Sequence, residues 1–213
     1  MSTVLVTGTE TEVGKTWWGR TTIDVLRAAG VPVAARKPTQ SYSPEELGAT
    51  DAEVLAHASG EPAEVVCPRH RWYPVAMAPP MAADVLGLPT FTIGDLVAEL
   101  VPPAEPSTIT IVEGAGGPRS PLAADGDTVS LGAAIGADMF VLVAPAGLGT
   151  INAVRLATSA LRADGPADAR VLVALNRYDA DDDLHRRNHG WLAGEGHHLV
   201  TSPAELAAEL RRG

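Results

Sequence analysis

Short apolar runs alternate with longer amphipathic stretches along this chain of 213 residues. The short runs are rich in β-branched residues and apolar at nearly every position, which is typical of strands covered on both faces by helices. This pattern predicts five strands, at Thr3–Thr7, Val33–Arg36, Thr108–Val112, Met139–Val143 and Val171–Leu175.

The amphipathic stretches carry apolar residues three to four positions apart, so they predict helices. The predicted helices are Lys15–Ala29, Ala49–Ala58, Gly94–Leu100, Val129–Ile135, Ile151–Ala163, Asp183–Leu192 and Pro203–Arg212. Strands that alternate with helices predict right-handed crossovers and a parallel sheet with helices on both faces. We therefore expect one α/β domain over residues 1–213, built as a three-layer sandwich.

Some segments do not follow this alternation. Glu61–Pro80 contains five prolines, and we predict an extended loop within the domain, because apolar periodicity resumes on both sides. His197 and His198 are also predicted to lie in a loop. His185 and His189 have a spacing that can bind zinc, but no third ligand is evident, so we expect a solvated helix face.

Charge and composition exclude several classes of function. The formal net charge of −10, from 16 basic and 26 acidic side chains, disfavours general binding to nucleic acids or anionic membranes. No apolar run approaches the roughly 20 residues of a membrane span. The single cysteine, Cys67, excludes an internal disulfide and fits a reducing compartment. With no basic leader evident, we expect a cytoplasmic protein.

A glycine-rich segment, Gly8–Thr16, follows the first predicted strand and opens the first helix, which is the context of a phosphate-binding P-loop. In such a loop, successive backbone N–H groups converge on phosphate oxygens. Lys15 is expected to reach the β- and γ-phosphates, and the Thr16 hydroxyl to bind Mg²⁺. The spacing differs from the usual motif, because five residues rather than four separate Gly8 from Gly14.

Three further charged residues are candidates for the same site. Glu113 follows the Thr108–Val112 strand, and ligands of parallel sheets gather at the carboxyl ends of strands. Lys37 follows the second strand, where the alternative is a solvated strand end. Asp51 lies near the start of a predicted helix, where the alternative is a favourable charge in the first turn.

Together, five segments of the chain resemble the dethiobiotin synthetase family: GTETEVGKT at 8–16, KPTQS at 37–41, TDA at 50–52, VEGAGG at 112–117 and GLGTIN at 147–152. The five-residue spacing is this family's form of the loop. The resemblance implies a P-loop NTPase-like fold and a ligase of biotin biosynthesis. Such an enzyme uses Mg²⁺ and a nucleoside triphosphate, with ATP as the default, to close a cyclic urea on 7,8-diaminononanoate with CO₂.

The resemblance also implies residue roles. Lys15 and Lys37 would be catalytic, stabilising the carbamate and the transferring phosphoryl group. The implied metal ligands are Thr16, Asp51 and Glu113. The implied nucleotide-binding residues are Glu12, Val13, Gly14, Lys15, Thr16, Trp17, Asp51, Glu113, Gly114, Ala115, Gly116 and Asn176, the last of these at the base. The implied substrate-binding residues are Thr11, Lys37, Ser41, Gly149, Thr150 and Asn152. The family's active site lies at a homodimer interface.

The chain departs from the family in places that leave alternatives open. Trp17 and Trp18 replace smaller residues, and packing is their simplest explanation. The segment after Asn176 differs from the family's C-terminal region, which leaves the preferred base open. The competing functions are a P-loop switch ATPase that positions chromosomes or septa, an amidoligase for another cofactor precursor, and a binding protein without catalysis.

Overall fold

The computed structural model describes residues 2–45, 47–103, 105 and 108–212. Its strands are β1 (Ser2–Gly8), β2 (Val33–Arg36), β3 (Gln40–Ser41), β4 (Trp72–Tyr73), β5 (Ile109–Glu113), β6 (Pro121–Ala123), β7 (Gly126–Asp127), β8 (Met139–Pro145), β9 (Arg170–Asn176) and β10 (His198–Val200). Its helices are α1 (Lys15–Ala28), α2 (Asp51–Ser59), α3 (Ala63–Val66), α4 (Pro79–Val85), α5 (Ile93–Glu99), α6 (Thr128–Ala134), α7 (Thr150–Asp164), α8 (Asp183–Gly194) and α9 (Pro203–Arg212).

A six-stranded parallel sheet forms the centre, in the order β10-β9-β8-β1-β5-β2. β1 lies between β5 and β8, so Leu5 is aligned with both Val112 and Phe140. The five predicted strands and the parallel sheet are confirmed. Because β1 is central, the segment that follows it leaves the sheet in the middle of the carboxyl edge, where strand order reverses and ligands of this architecture bind.

Helices cover both faces of the sheet, as the sequence predicts. Val4 and Val6 of β1 face one core, with Trp18 of α1 and Leu55 of α2. The alternate residue, Leu5, faces the opposite core, which contains side chains of α4 to α8. This alternation follows from the two-residue period of a strand. The result is the expected three-layer sandwich.

The prediction of an extended loop over residues 61–80 is wrong in part. The segment contains α3, a turn of 3₁₀ helix at Arg69–Arg71, strand β4 and the start of α4. Pro79 occupies the first turn of α4, where the missing proline N–H breaks no helical hydrogen bond. β4 pairs with β3, aligning Tyr73 with Ser41. Pro62, Pro68 and Pro79 therefore stand at the starts of helical turns, and the segment supports the KPTQS motif.

The loop predicted at His197 and His198 also needs correction. His198 begins β10, which pairs with β9 at the edge of the sheet. Three residues are too few to show a strand period in the sequence.

No helix in the part of the chain that the structure describes combines the length and the apolar character that a membrane span requires.

Alanine substitutions at two glycines, one on α6 and a control on α8, test the packing of α6 against the sheet. A methyl group at Gly132 would lie 2.5 Å from two ring carbons of Phe140, whereas one at Gly190 in α8 would meet nothing within 4 Å. We expect Gly132→Ala to lower the free energy of unfolding by about 1–3 kcal/mol through overpacking. Gly190→Ala should raise it by about 0.5–1 kcal/mol, because alanine favours helix. Urea unfolding measures both, and equal effects would contradict the packing described.

Candidate active site

The Gly8–Thr16 segment forms a tight loop between β1 and α1. Any side chain on Gly8 would collide with the Glu10 carbonyl, since its Cβ would lie 2.8 Å from that oxygen. Glu12 and Gly14 both have positive φ, 58° and 95°, and Gly14 is the N-cap of α1. The Lys15 ammonium donates a hydrogen bond to the Glu10 carbonyl at 3.0 Å. The loop thus curls over its own lysine at the amino end of a long helix.

A buried ion cluster lies beside this loop. The Lys37 ammonium is 2.8 Å from Asp51 Oδ2 and 2.5 Å from Glu113 Oε1. Lys37 and Glu113 are only 2% and 1% exposed. They come together because β2 and β5 are parallel neighbours, so their carboxyl ends meet. The alternative of a solvated lysine at a strand end is therefore excluded.

The two lysines of the site differ in their electrostatic surroundings. Burial disfavours the charged amine of Lys37, but Asp51 and Glu113 outweigh this and hold the pKa of Lys37 above its ordinary value. Attraction by Lys37 in turn lowers the pKa of Asp51. The pKa of Lys15 is lowered, first by burial and then by repulsion from Lys37. Lys15 is therefore the cation with most to gain from a bound anion.

Asp51 is held in place by the start of α2. Thr50 and Glu53 form a capping box, in which Glu53 Oε2 accepts a hydrogen bond from Thr50 N at 2.8 Å. Gln40 Oε1 accepts from Ala52 N at 3.0 Å, which ties α2 to β3. Gln40 is a residue that the sequence analysis missed as a site support, although it lies within the KPTQS motif.

Oxygen atoms of three side chains lie close together at the position where the sequence predicts a divalent metal ion. Thr16 Oγ1 lies 2.8 Å from Asp51 Oδ1 and 3.0 Å from Glu113 Oε1, although its single hydrogen serves only one of them at a time. Glu113 Oε2 is buried without a hydrogen-bond partner in the part of the chain that is described. A hydroxyl and two carboxylates are hard oxygen ligands of the kind Mg²⁺ prefers. These residues therefore fit the ion.

The two histidines of α8 pack against an aromatic ring. Across the described ranges, no cluster of three or more His, Cys, Asp or Glu side chains could hold a metal. His185 Nδ1 instead accepts a hydrogen bond from Asp179 N, and His185 and His189 both lie against the ring of Tyr178.

The glycine-rich segment after β5 lies against the P-loop. Gly8 N donates to Gly116 O at 3.3 Å, and Gly116 has a positive φ of 65°. A side chain on Gly114 would collide with Thr128, whose Cγ2 would be 2.7 Å from the added Cβ. Thr128 also donates to Ala115 O. Gly116 thus contacts the first residue of the P-loop, whereas Gly114 and Ala115 contact Thr128.

Asn176 reaches the P-loop from the end of β9. Its Nδ2 donates to Val13 O at 2.9 Å, and its Oδ1 accepts from Trp18 Nε1 at 3.2 Å. Trp18 is 1% exposed, so its predicted packing role is confirmed, but this hydrogen bond was missed. Trp17 is 50% exposed and lies edge-on to Trp18. Val13 and Asn176 are therefore in direct contact, whereas Trp17 contacts Trp18 and makes no hydrogen bond among the described residues.

Apart from Lys37 itself, the predicted substrate-binding residues are not joined to the lysine cluster by hydrogen bonds among the described residues. Ser41 and Thr150 have buried hydroxyls without partners there, and Gly149 has a positive φ of 91° at the N-cap of α7. Asn152 and Thr11 are exposed. Thr11 follows β1, Gly149, Thr150 and Asn152 follow β8, and Ser41 lies in β3 shortly after the end of β2. All five therefore come after the carboxyl end of a strand of the central sheet, the edge at which the P-loop also lies.

Asn188 of α8 supports the turn before α7, and no sequence signal indicated this. Its Nδ2 donates to the carbonyls of Ala146 and Gly147, each at 2.9 Å. Asn188 is buried, together with Leu192, on a helix whose other residues are exposed or half-buried. The GLGT segment is therefore fixed from the side by a residue about 40 positions away.

Removing the Lys37 charge tests the cluster. Lys37→Met leaves the buried Glu113 carboxylate without its counter-ion, and we expect the free energy of unfolding to fall by about 3–5 kcal/mol. The double variant Lys37→Met/Glu113→Gln should recover much of this loss. Arg187→Met, which breaks an exposed ion pair with Asp183, should have little effect. Denaturant unfolding reports all three, and equal values for the single and double variants would contradict the pairing.

The sequence matches known proteins over most of its length. A family model described as an AAA domain matches residues 2–200. The chain is 39% identical over 186 residues to the ATP-dependent dethiobiotin synthetase BioD of Anaeromyxobacter dehalogenans strain 2CP-1, covering 86% of this chain and 80% of that protein.

Two solved structures share the fold. A plasmid partition protein from Borrelia burgdorferi has a TM-score of 0.56 at 8% identity, covering 97% of this chain and 94% of that one. Cobyrinic acid a,c-diamide synthase from Mycobacterium smegmatis has a TM-score of 0.51 at 14% identity, covering 97% and 91%. At such identities these likenesses establish only the architecture, whereas the sequence relative establishes descent. The chain belongs to the ATP-dependent dethiobiotin synthetase family.

Proposed function

We propose that this protein is a dethiobiotin synthetase, a cyclo-ligase of biotin biosynthesis that forms C–N bonds. Its substrates are 7,8-diaminononanoate, CO₂ and ATP, and its products are dethiobiotin, ADP and phosphate. The observation that carries the proposal is the buried Lys37, which lies between Asp51 and Glu113 beside the P-loop. The similarity to relatives named for this activity supports the same assignment.

The first steps bring two anions together. One amine of the substrate attacks CO₂ and loses a proton, giving a carbamate. A carbamate oxygen then attacks the γ-phosphorus, and ADP leaves. Both reactants are negatively charged, so the step requires fixed positive charge in a site with little water. Lys15 and Lys37 supply this charge.

Ring closure follows within the bound intermediate. The second amine attacks the carbonyl carbon of the carbamic–phosphoric anhydride, the C–O bond to phosphate breaks, and phosphate leaves. This step is intramolecular, so it depends mainly on held geometry. In our proposal Thr11, Glu12 and Ser41 orient the diamine end. Gly149, Thr150 and Asn152, at the start of α7, hold the distant carboxylate.

Mg²⁺ would be held by Thr16, Asp51 and Glu113, the three residues whose oxygens converge beside the P-loop. The ion would neutralise charge on the β- and γ-phosphate oxygens. The remaining nucleotide contacts would come from the P-loop backbone, Trp17, the Gly114–Gly116 segment and Asn176. Lys37 would move its contacts from the carboxylates toward the carbamate as the substrate binds.

The proposal also covers the domain organisation, the cellular location and the oligomeric state of the protein. We propose a single P-loop domain that works in the cytoplasm as a homodimer, with the two ends of the substrate held by different subunits. ATP is the nucleotide that the names of the relatives indicate. A switch ATPase is less well supported, because the partition protein shares only the fold.

The test of this function is a coupled assay of phosphate and product. The purified protein is supplied with Mg²⁺, bicarbonate and ATP, GTP or CTP in turn, with and without 7,8-diaminononanoate. We expect phosphate release to depend on the diamine and to match, mole for mole, the cyclic urea detected by mass spectrometry. Diamine-independent hydrolysis without the cyclic urea would exclude the ligase and favour a switch ATPase.

The metal ligands can be tested without turnover. Thr16→Val removes one proposed ligand at nearly constant shape, and we expect Mn²⁺ affinity in the presence of ADP to fall by at least about 10-fold. Thr22→Val is the control, because Thr22 lies on the same helix with a buried hydroxyl that has no partner among the described residues. Electron paramagnetic resonance of free Mn²⁺ gives both affinities. Equal affinities for the two variants would remove Thr16 from the metal site.

A further inference from the structure

Asn176, at the end of β9, joins Trp18 and Val13 in a chain of hydrogen bonds that ends on the phosphate loop. Trp18 Nε1 donates to Asn176 Oδ1 at 3.2 Å, and Asn176 Nδ2 donates to Val13 O at 2.9 Å. Gly14 O accepts from Trp18 N at 3.0 Å, which closes a ring through the first turn of α1. We call Trp18, Asn176 and the Val13 carbonyl the P-loop clamp.

Trp18 sets the orientation of the Asn176 amide. An indole nitrogen can only donate, so it requires the oxygen of the amide on its side. The amide nitrogen must then face Val13, whose carbonyl can only accept. A flipped amide would place donor against donor and acceptor against acceptor. Trp18 and Val13 are both buried, so water does not readily replace either contact.

The clamp also fixes the direction of a P-loop N–H group. The Val13 carbonyl and the Gly14 N–H belong to one peptide unit, and the described chain contains no cis peptide bonds. In a trans peptide these two groups point in opposite directions. With the carbonyl held by Asn176, the Gly14 N–H is directed away from β9. Among the described residues, the N–H groups of Glu12, Val13 and Gly14 donate to no protein acceptor.

Contact distances at Gly14 show how closely the clamp is fitted. A Cβ on Gly14 would lie 2.5 Å from Asn176 Nδ2, and the φ of 95° also favours glycine. Asn176 is thus packed directly against the backbone that it holds. We propose that Trp18 is a positioning residue, which acts through Asn176 to hold the 13–14 peptide ready for phosphate oxygens.

This inference rests on the proposed nucleotide binding, but it separates two roles of Asn176. A residue that reads the base affects nucleotides differently according to their base. A residue that holds the loop affects every ligand with a polyphosphate, including one with no base. The clamp uses Oδ1 and one hydrogen of Nδ2, so the second hydrogen remains for the predicted contact with the base.

The experiment compares binding of Mg-tripolyphosphate, MgATP, MgGTP and MgCTP by calorimetry. Trp18→Phe keeps an aromatic ring but removes the N–H donor. We expect all four dissociation constants to rise by a common factor of about 3- to 10-fold, the effect of one lost hydrogen bond. Trp72→Phe is the control, since Trp72 donates its indole N–H to Cys67 O at 2.8 Å, outside the phosphate loop. It should change none of the four constants.

A double-mutant cycle shows whether Trp18 acts through Asn176. In an Asn176→Ala background, Trp18→Phe should produce no further loss, because the intermediate link is already gone. Asn176→Ala alone should also weaken Mg-tripolyphosphate, which provides a test if Trp18→Phe does not fold. Unchanged tripolyphosphate binding in the folded variants, or an undiminished Trp18→Phe effect without Asn176, would overturn the clamp. Failure of the wild type to make the cyclic urea would instead contradict the ligase and leave these binding results standing.

Discussion

The attraction between Lys37 and two carboxylates is the interaction on which the site depends. Lys37 and Glu113 are buried, and each would be costly to place there alone. Their mutual attraction offsets the cost of burying each charge, and they meet because β2 and β5 are adjacent parallel strands whose carboxyl ends lie side by side. Asp51 enters from the start of α2, where a capping box and Gln40 hold it. The cluster therefore ties the second strand, the fifth strand and a helix to the phosphate loop.

This arrangement leaves positive charge available where the proposed chemistry needs it. Lys37 already has its counter-ions, whereas Lys15 is buried and, within the part of the chain that the structure describes, has only the Glu10 carbonyl as hydrogen-bond partner. A triphosphate would supply the missing negative charge. Thr16 is the last residue of the loop, and its hydroxyl lies beside both carboxylates. A metal ion, the phosphates and Lys15 would therefore meet within one turn of α1. Charges that are already fixed in place avoid the free-energy cost of reorienting solvent water during the reaction.

The sequence predicts the parts of this structure that depend on local patterns. The five long strands are continuous apolar runs, and Lys37 and Glu113 are recognisable because each follows such a run. β10 was missed because three edge residues carry too little periodicity. The helices within residues 61–80 were missed because proline was interpreted only as a helix breaker, although Pro79 occupies the first turn of α4. The Trp18–Asn176 hydrogen bond joins residues 158 positions apart, and no local pattern contains that information.

The fold by itself does not decide among the functions that share it. A partition protein and a diamide synthase have the same architecture at 8% and 14% identity, so this arrangement of sheet and helices is common to proteins of different function. What distinguishes this chain is the set of residues placed around the loop. A protein that only binds a nucleotide has no need of a second buried lysine beyond the phosphate loop, and Lys37 is costly to keep there. The conjunction of Lys37, Asp51 and Glu113 is therefore the structural argument for catalysis on a second, anionic reactant.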